Sequence, residues 1–282
     1  MKICHIAPKG WQELLVPELE KLGHTVTTEC DGDEDVVIVK SITQMKRAAK
    51  ILKTYPHIPM IHYNWDVYSW ALNNPRQDEY SYEEYRRQCE ASLEVWTPSQ
   101  AVSNSLKDYW DMDSHVIKSY VPTKSILSPR RKGYALQALR KNPDKYMDWY
   151  EKACKETGID YEITWAKEMD EEPYFELLSN AGFLVSALYE MSTGGLFLME
   201  GARMQKPILS ARGRYLGAEE YFGDSIEYYD CDDFEMLKEK LIGMSNGTIT
   251  TDTNKAMELV KDMTPDKMAV LIDERLNDLL RS

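Results

Sequence analysis

From Leu184 to Pro207 the chain reads LVSALYEMSTGGLFLMEGARMQKP. The apolar opening of this stretch ends in Glu190, a pattern typical of a buried parallel strand with a carboxylate at its C-terminal end. Gly194 and Gly195 follow, and glycines at a strand-to-helix turn let a ligand approach the backbone closely. The next segment is apolar, has helical character and carries a second carboxylate, Glu200. The stretch therefore predicts a strand, a glycine turn and a helix in succession.

This predicted strand, turn and helix suit a ligand that carries both phosphate and sugar groups. The first N–H groups of a helix have no intrahelical partner, so they favour an anion such as phosphate. A carboxylate on each side of the turn can accept hydrogen bonds from sugar hydroxyls. Other interpretations stay open, because many doubly wound domains contain a strand, two glycines and a helix. Glu190 can serve only the helix dipole, and Glu200 can belong to a solvated helical face.

The composition is that of a soluble globular protein. The 282 residues suffice for two domains of ordinary size, and 43% of them are hydrophobic and 29% charged. No run of 18 apolar residues occurs, so we expect no transmembrane helix. Residues 1–7 predict a short strand rather than a signal peptide, because they lack a long apolar region and a small-residue cleavage site.

The cysteines and the net charge restrict the cellular setting and the partners. The five cysteines are scattered and form no C-x-x-C pair, which favours a reducing cytoplasm and argues against a metal cluster. The net charge of −13 repels nucleic acid and anionic lipid at long range. We therefore expect a cytoplasmic protein, and nucleic acid is disfavoured as its partner.

Strand and helix signals alternate along the chain. The predicted strands lie at residues 3–7, 24–28, 36–39, 59–63, 95–97, 115–117, 160–165, 184–190, 207–210 and 226–229. The predicted helices lie at residues 12–22, 45–55, 82–93, 99–110, 171–181 and 234–244, and from 265 onward. The last helix carries an apolar stripe, formed by Met268, Leu271, Ile272, Leu276, Leu279 and Leu280. Such alternation predicts parallel sheets with helices on both faces.

The segment from Glu190 to Pro207 resembles the donor-binding segment of the retaining GT-B glycosyltransferases of family 4. Those enzymes usually have two glutamates separated by seven residues, as in E-G-F-G-L-x-x-x-E. Here Glu190 and Glu200 are separated by nine residues, but the interval from Gly195 to Glu200 is kept. Three more segments are similar to family elements, and they lie at residues 22–26 (LGHTV), 97–102 (TPSQAV) and 132–133 (KG).

The resemblance implies an α/β fold of the GT-B type, in which two Rossmann-like domains face a central cleft. Residues 1–122 would form the acceptor-side domain and residues 123–262 the nucleotide-sugar-binding domain. Residues 263–282 would form a C-terminal helix that crosses back to the first domain. Pro122 stands where the family has a Pro-Asn-Gly element between the domains, although the Asn-Gly part is absent.

The implied activity is transfer of a sugar from a nucleoside-diphosphate sugar to an acceptor hydroxyl, with retention of anomeric configuration and without a metal or other cofactor. Glu200 would bind the ribose hydroxyls, and Glu190 would act at the transferred sugar as a catalytic residue. The pair Lys132-Gly133 would open the first helix of the donor domain. The donor-binding residues implied in this way are Arg131, Lys132, Thr193, Gly194, Gly195, Leu196, Glu200 and Gly10.

The acceptor side is expected at the end of the strand at residues 59–63, where open α/β sheets bind ligands. His62 and Asp66 are the catalytic candidates there, and Asn64 and Trp65 are the candidates for acceptor binding. Core packing is an equal alternative for His62 and for Trp65. The acceptor class stays open between a glycan, a lipid-linked molecule, a small molecule and a modified nucleic acid.

Two acidic segments have the appearance of metal sites. Residues 31–35 (DGDED) lack the ligand pattern of a calcium loop, so we interpret them as a solvated turn. Residues 230–233 (DCDD) mimic a D-x-D metal motif, but they follow a strand and favour a cap of the following helix instead. Two alternative functions remain beside sugar transfer, namely a nucleotide-sugar hydrolase or epimerase of the same fold and a catalytically silent sugar-nucleotide-binding protein.

Overall fold

The computed structural model describes residues 1–40, 42–65, 82–121, 133–139, 147–165, 171–187 and 196–281. The chain divides into two compact units. One consists of Met1–Pro122 together with Met263–Ser282, and the other of Thr123–Asp262. Each unit contains its own parallel sheet with helices, so the predicted α/β class with two Rossmann-like sheets is confirmed.

The first unit is built on a six-stranded parallel sheet. Its elements are β1 (Lys2–Ile6), α1 (Lys9–Lys21), β2 (Thr25–Thr27), β3 (Val36–Lys40), α2 (Met45–Thr54), β4 (Met60–Tyr63), α3 (Tyr82–Glu90), β5 (Glu94–Thr97), α4 (Gln100–Trp110) and β6 (His115–Val116). The strand order is β2-β1-β3-β4-β5-β6. The central strands β3 and β4 are buried along their whole length, which explains their nearly continuous apolar sequences.

The second unit is built on a five-stranded parallel sheet. Its elements are β7 (Ala135–Leu139), α5 (Met147–Thr157), β8 (Tyr161–Trp165), α6 (Glu171–Asn180), β9 (Phe183–Ser186), α7 (Leu196–Arg203), β10 (Ile208–Arg212), α8 (Ala218–Phe222), β11 (Glu227–Asp230), α9 (Phe234–Asn246) and α10 (Thr253–Val260). The strand order is β8-β7-β9-β10-β11. The chain thus reverses its direction across the sheet between β7 and β9, and open sheets bind ligands at such a switch point.

Strand β7 contradicts the local sequence preference. Its sequence, ALQAL, consists of residues that favour helices, yet β7 pairs with β8 on one side and β9 on the other. Pairing on both edges therefore overrides the propensity. Because β7 follows Lys132-Gly133 directly, the prediction that this pair opens the first helix of the unit is wrong. The first described helix of the unit is α5, which begins at Met147.

Helix boundaries agree with the predictions where capping residues are present. Ser99 caps α4, and its hydroxyl accepts a hydrogen bond from the Val102 N–H at 3.3 Å, as predicted. Helix α1 begins at Lys9, so Gly10 and Trp11 lie in its first turn and not in a loop. The helix thus begins three residues before its predicted start at residue 12, because Pro8 precedes it without interrupting it.

The final helix, α11 (Pro265–Arg281), packs within the first unit. Five of its residues are buried, and four of these belong to a hydrophobic core cluster with the sheet, namely Met268, Ala269, Ile272 and Leu276. Leu271 is 44% exposed, so its place in the predicted apolar stripe is wrong. Ala269 takes the buried position instead.

An ion pair joins α11 to the sheet. Arg275 donates two hydrogen bonds to the Glu94 carboxylate, one of them from Nε to Oε2 at 2.9 Å. The indole Nε1 of Trp96 donates to the same Oε2 at 2.6 Å. The side chains of Arg275 and Glu94 are only 27% and 17% exposed, so solvent screens the pair incompletely.

We expect Arg275→Met to lower the free energy of unfolding by about 1–2 kcal/mol at neutral pH, because the largely buried Glu94 carboxylate loses its charged partner. Denaturant unfolding of the purified protein measures this change. Arg86→Met is the matched control, since Arg86 pairs with Glu90 on the surface of α3 at 2.8 Å. It should change stability by less than about 0.5 kcal/mol. Equal effects of the two variants would contradict the role given to Arg275.

The penalty of Arg275→Met should also depend on pH. Burial alone raises the pKa of Glu94, but the hydrogen bonds from Arg275 and Trp96 outweigh burial and hold this pKa below its ordinary value. A depressed pKa means that the stabilisation is present above the unfolded-state pKa and is lost as the pH falls through the folded-state pKa. The difference between wild type and Arg275→Met should therefore shrink in acid. A difference that stays constant down to strongly acidic pH would contradict this explanation.

Candidate functional site

The candidate site lies in the second unit at the carboxyl ends of β7 and β9, on either side of the switch point. Strand β7 leads into residues 140–146 and β9 into residues 188–195, and both segments lie outside the described residues. Four predicted site residues lie in the second of these segments, namely Glu190, Thr193, Gly194 and Gly195. Leu196 is described as the first residue of α7, and Glu200 lies in the second turn of that helix.

A buried amide connects the two strands that flank the switch point. Gln137 of β7 is fully buried, and its Nε2 donates to the carbonyl oxygen of Ala187, directly after β9, at 3.4 Å. Its Oε1 has no hydrogen-bond partner within the described parts of the chain. Ser186, at the end of β9, is also buried. Buried polar groups thus lie in the two strands that flank the switch point.

Helix α7 packs closely on β9 because of a glycine. A Cβ atom added at Gly201 would overlap the Leu184 side chain, so a larger residue fits at this position only if that side chain moves. The neighbours Leu198, Met199 and Ala202 are buried. Glu200 is only partly buried, so its carboxylate lies beside this packed face and remains within reach of solvent.

The Glu200 carboxylate is held by a buried phenol. Tyr174 lies in the first turn of α6, and its hydroxyl donates to Glu200 Oε2 at 2.6 Å. Burial, followed by the charge and the hydrogen bond of Glu200, raises the pKa of Tyr174 well above its ordinary value, so the phenol stays a donor at all working pH values. One turn beyond Glu200, Arg203 Nη2 donates to the carbonyl oxygens of Val260 and Lys261, each at 3.3 Å.

Lys206 is a structural residue that sequence analysis missed. It is 1% exposed, and its ammonium donates to the carbonyl oxygens of Ser179 at 2.5 Å and Ala181 at 2.9 Å. These carbonyls lie at the C-terminal end of α6, where a cation complements the helix dipole. No local signal in the sequence distinguishes this buried lysine from a surface one. The charge of Lys206 therefore serves the packing of α6 and not a phosphate.

His62 lies in the core of the first unit. It is fully buried in β4, and its ring meets Tyr85 edge-on with ring centroids 5.4 Å apart. Burial lowers the pKa of His62 to about 3, so the ring is neutral at physiological pH. Asn64 is 2% exposed, and its Oδ1 accepts a hydrogen bond from Tyr85 at 3.4 Å. Asp66 lies outside the described residues. The geometry of His62 therefore supports a role in core packing rather than in catalysis.

Trp65 belongs to an aromatic cluster around a buried lysine. Lys40, the last residue of β3, is 4% exposed, and its ammonium lies against the ring of Trp11 and 4.0 Å from the ring centroid of Trp65. The rings of Trp11 and Trp65 are 4.7 Å apart, and Tyr120 packs on Trp11 at 4.5 Å. A cation between aromatic faces is favourable when it is desolvated. Trp65 therefore has a packing role, which the sequence had left as an alternative.

Gly10 lies beside this cluster, in the first turn of α1. A Cβ atom added at Gly10 would meet nothing within 4 Å. Packing within the first unit therefore does not require a glycine here. The donor-binding role that the resemblance implies for Gly10 stays a prediction.

The two acidic segments have structural partners. Lys2 pairs with Asp31 and Asp33, which are exposed. Glu34 is 6% exposed, so the prediction of a wholly solvated turn is wrong at this residue. Its carboxylate accepts hydrogen bonds from the N–H groups of Asp31 and Gly32, both at 3.0 Å. Glu34 thus anchors the turn.

Cys4 and Cys30 lie close to Glu34, and their ligand atoms are all within 4.8 Å of one another. Cys30 donates to Glu34 Oε2 at 3.0 Å, and burial raises its pKa to about 12. Protonated thiols around a carboxylate that already accepts several hydrogen bonds form a packed core, so we assign no metal to these residues.

The segment at residues 230–233 also has a structural explanation. Asp230 Oδ1 accepts a hydrogen bond from Arg212 Nε at 2.5 Å, and Cys231 is buried. The neighbouring Asp233 caps α9, since its Oδ1 accepts from the Met236 N–H at 2.8 Å. The helix-cap interpretation of this segment is confirmed, with Asp233 as the capping residue.

No protein-family model matches the sequence, and no curated protein matches it significantly. The fold, in contrast, is similar to solved structures. The sucrose-phosphate synthase of Thermosynechococcus elongatus matches with a TM-score of 0.69 and 10% identity, over 97% of this chain and 79% of the other. The lipopolysaccharide outer core galactosyltransferase WaaB, in its apo form, matches with a TM-score of 0.65 and 10% identity, over 99% of both chains.

A variant of S. aureus TarM, in complex with Fondaparinux, α-GlcNAc-glycerol and UDP, matches with a TM-score of 0.65 and 14% identity. The match covers 95% of this chain and 58% of TarM, so the chain spans little more than half of that protein. No described helix is long and apolar enough to cross a membrane. The predicted GT-B class is confirmed, since the chain shares this fold with glycosyltransferases.

Proposed function

We propose that this chain is a glycosyltransferase that moves a sugar from a nucleoside-diphosphate sugar to an acceptor hydroxyl, with retention of anomeric configuration. The observation that carries the proposal is Glu200, a carboxylate oriented by Tyr174 at the switch point of a parallel sheet. The likeness in fold to a galactosyltransferase and a sucrose-phosphate synthase supports it.

The proposed donor site follows from the order of elements around the crevice. Glu200 accepts hydrogen bonds from the ribose hydroxyls, since a carboxylate can accept from both hydroxyls of a vicinal diol. The N–H groups at the start of α7, together with Thr193, Gly194 and Gly195 before it, contribute donors to the diphosphate. Glu190 acts at the transferred sugar, where it stabilises the positive charge that develops at the anomeric carbon.

The cation for the leaving diphosphate requires a revised assignment. Arg131 and Lys132 precede β7, whereas the crevice opens at the carboxyl ends of the strands. The segment that joins the carboxyl end of β7 to α5 contains Arg140, Lys141 and Lys145. We therefore infer that this segment, rather than Lys132, supplies the positive charge. A cation and helix N–H groups together replace a divalent metal.

Glu200→Gln should weaken binding of the nucleoside diphosphate by about 1–3 kcal/mol, the magnitude of a lost hydrogen bond to a charged group. Titration calorimetry with UDP, GDP and ADP measures the affinity. Glu239→Gln on α9 is the matched control, because Glu239 is an exposed helical glutamate of the same unit and should bind as wild type does. Unchanged affinity in a folded Glu200→Gln variant would remove Glu200 from the donor site.

The cation assignment separates two lysines. Lys145→Ala should reduce turnover about 100-fold or more through lost stabilisation of the leaving group, while Lys132→Ala should have a small effect. Activity should also survive EDTA. Steady-state kinetics on both variants, with and without chelator, tests the three statements. A dead Lys132→Ala beside an active Lys145→Ala would restore the assignment made from the sequence. Activity that vanishes with EDTA and returns with manganese would contradict a metal-independent reaction.

The stereochemical outcome tests the reaction itself. Incubation with UDP-, GDP- and ADP-sugars should release the nucleoside diphosphate from one of them, which a silent binding protein would not do. Proton NMR should then show the donor's anomeric configuration in the product. Glu190→Ala should lower turnover more than nucleotide affinity, because its partner is the reacting sugar. An inverted product, together with a dead Asp66→Asn variant and an active Glu190→Ala variant, would overturn the proposed mechanism.

A further inference from the structure

We propose that Tyr174 is the positioning residue for Glu200 and that its hydroxyl makes the donor site selective for ribose over 2′-deoxyribose. This inference rests on the proposed function of Glu200. It concerns a residue outside the strand, turn and helix that the sequence singled out. Its basis is the single hydrogen bond that links α6 to the carboxylate on α7.

The two side chains meet because of the topology of the sheet. The chain moves in the same direction from β8 to β9 and from β9 to β10, so right-handed crossovers put α6 and α7 on the same face. Both helices begin after the carboxyl end of a strand. Tyr174 is in the first turn of α6, and Glu200 is the fifth residue of α7. Their contact therefore lies at the edge of the sheet where the switch point opens.

The environment of Tyr174 makes it an anchor rather than a ligand. Its side chain is 8% exposed and packs edge-on against Phe175, with ring centroids 5.3 Å apart. The phenol reaches the carboxylate from the protein side, whereas Glu200 itself is partly exposed. The O–O distance of 2.6 Å is typical of a charge-assisted hydrogen bond.

The hydrogen bond determines how the carboxylate can meet a ribose. A free glutamate samples several rotamers, and each of them directs its oxygens differently. Tyr174 holds Oε2 and so favours one orientation of the carboxylate. A carboxylate has about four lone-pair sites, so the same group can also accept hydrogen bonds from a ribose diol. Preorganisation of this kind lowers the entropy lost on binding. The 2′-hydroxyl then meets an acceptor that is already in place.

A second packed contact limits movement of the helix that carries Glu200. Arg203 fixes the end of α7 to the carbonyls of Val260 and Lys261, and Gly201 seats the helix on Leu184. These contacts constrain the backbone at Glu200 independently of the hydrogen bond from Tyr174. Removal of the Tyr174 hydroxyl therefore removes one hydrogen bond from the Glu200 side chain while the described contacts of its helix stay in place, so the hydroxyl can be tested by itself.

The test compares each variant on two ligands. Calorimetry first identifies which of UDP, GDP and ADP binds wild type, and then measures that nucleotide and its 2′-deoxy form. Tyr174→Phe should weaken the ribonucleotide about tenfold and the 2′-deoxy form less, because that form offers the carboxylate only its 3′-hydroxyl, so the preference for ribose should fall. A merely structural role would weaken both ligands equally. The double variant with Glu200→Gln should bind no more weakly than Glu200→Gln alone.

The control is a second tyrosine–glutamate hydrogen bond in the same unit. Tyr161 at the amino end of β8 donates to Glu151 Oε1 at 3.0 Å, far along the sheet from the carboxyl edge. Tyr161→Phe should keep the full preference for ribose. If Tyr174→Phe does not fold, as judged by circular dichroism, Tyr174→Leu replaces it.

The outcomes separate this inference from the proposed function. A Tyr174→Phe variant with the wild-type preference, beside a Glu200→Gln variant that has lost it, would overturn the positioning role alone. A Glu200→Gln variant that keeps the preference would overturn the assignment of ribose to Glu200. Loss of the preference in both variants, with Tyr161→Phe unchanged, would support the role of Tyr174.

Discussion

The packing of α7 on β9 is the contact on which the candidate site depends. Gly201 faces Leu184 without a side chain of its own, so the helix lies directly against the strand. Two polar contacts then tie α6 to the same assembly from opposite ends. Tyr174 at the start of α6 donates to Glu200, and Lys206 donates to the carbonyls at its end. Residues of the sequence motif thus determine how α7 packs, and the proposed donor binding depends on that packing.

Much of the fold was predictable because buried parallel strands are continuously apolar and because helix caps are local. Strand β3 and the cap at Ser99 are examples. Strand β7 was not predictable, since Ala, Leu and Gln favour helices and only its two neighbours make it a strand. That single error shifted the interpretation of Lys132, because a basic residue before a strand lies at the opposite edge from one after it.

The polar residues show a second limit of sequence analysis. His62, Lys40 and Lys206 are all buried. The sequence made His62 a catalytic candidate with core packing as an equal alternative, and it gave no indication of the two buried lysines. The sequence alone does not indicate whether a charged or imidazole side chain will be exposed to solvent or buried in the protein. The decisive information is long-range, such as the carbonyls at the end of α6 or the ring of Trp11. Glu200 was predicted to lie in a helix, and α7 confirms that position, whereas its role in donor binding stays a prediction.

The unusual spacing of the two glutamates has a structural consequence. Glu200 is fixed in α7 by Gly201 and Tyr174, so it cannot move along the helix to accommodate a longer turn. The two extra residues must therefore be accommodated between the end of β9 and Leu196. In the proposed function Glu200 serves donor binding and Glu190 serves the reaction of the transferred sugar. The longer spacing therefore bears on the proposed role of Glu190 more than on that of Glu200, whose position in α7 is set by the packing of that helix.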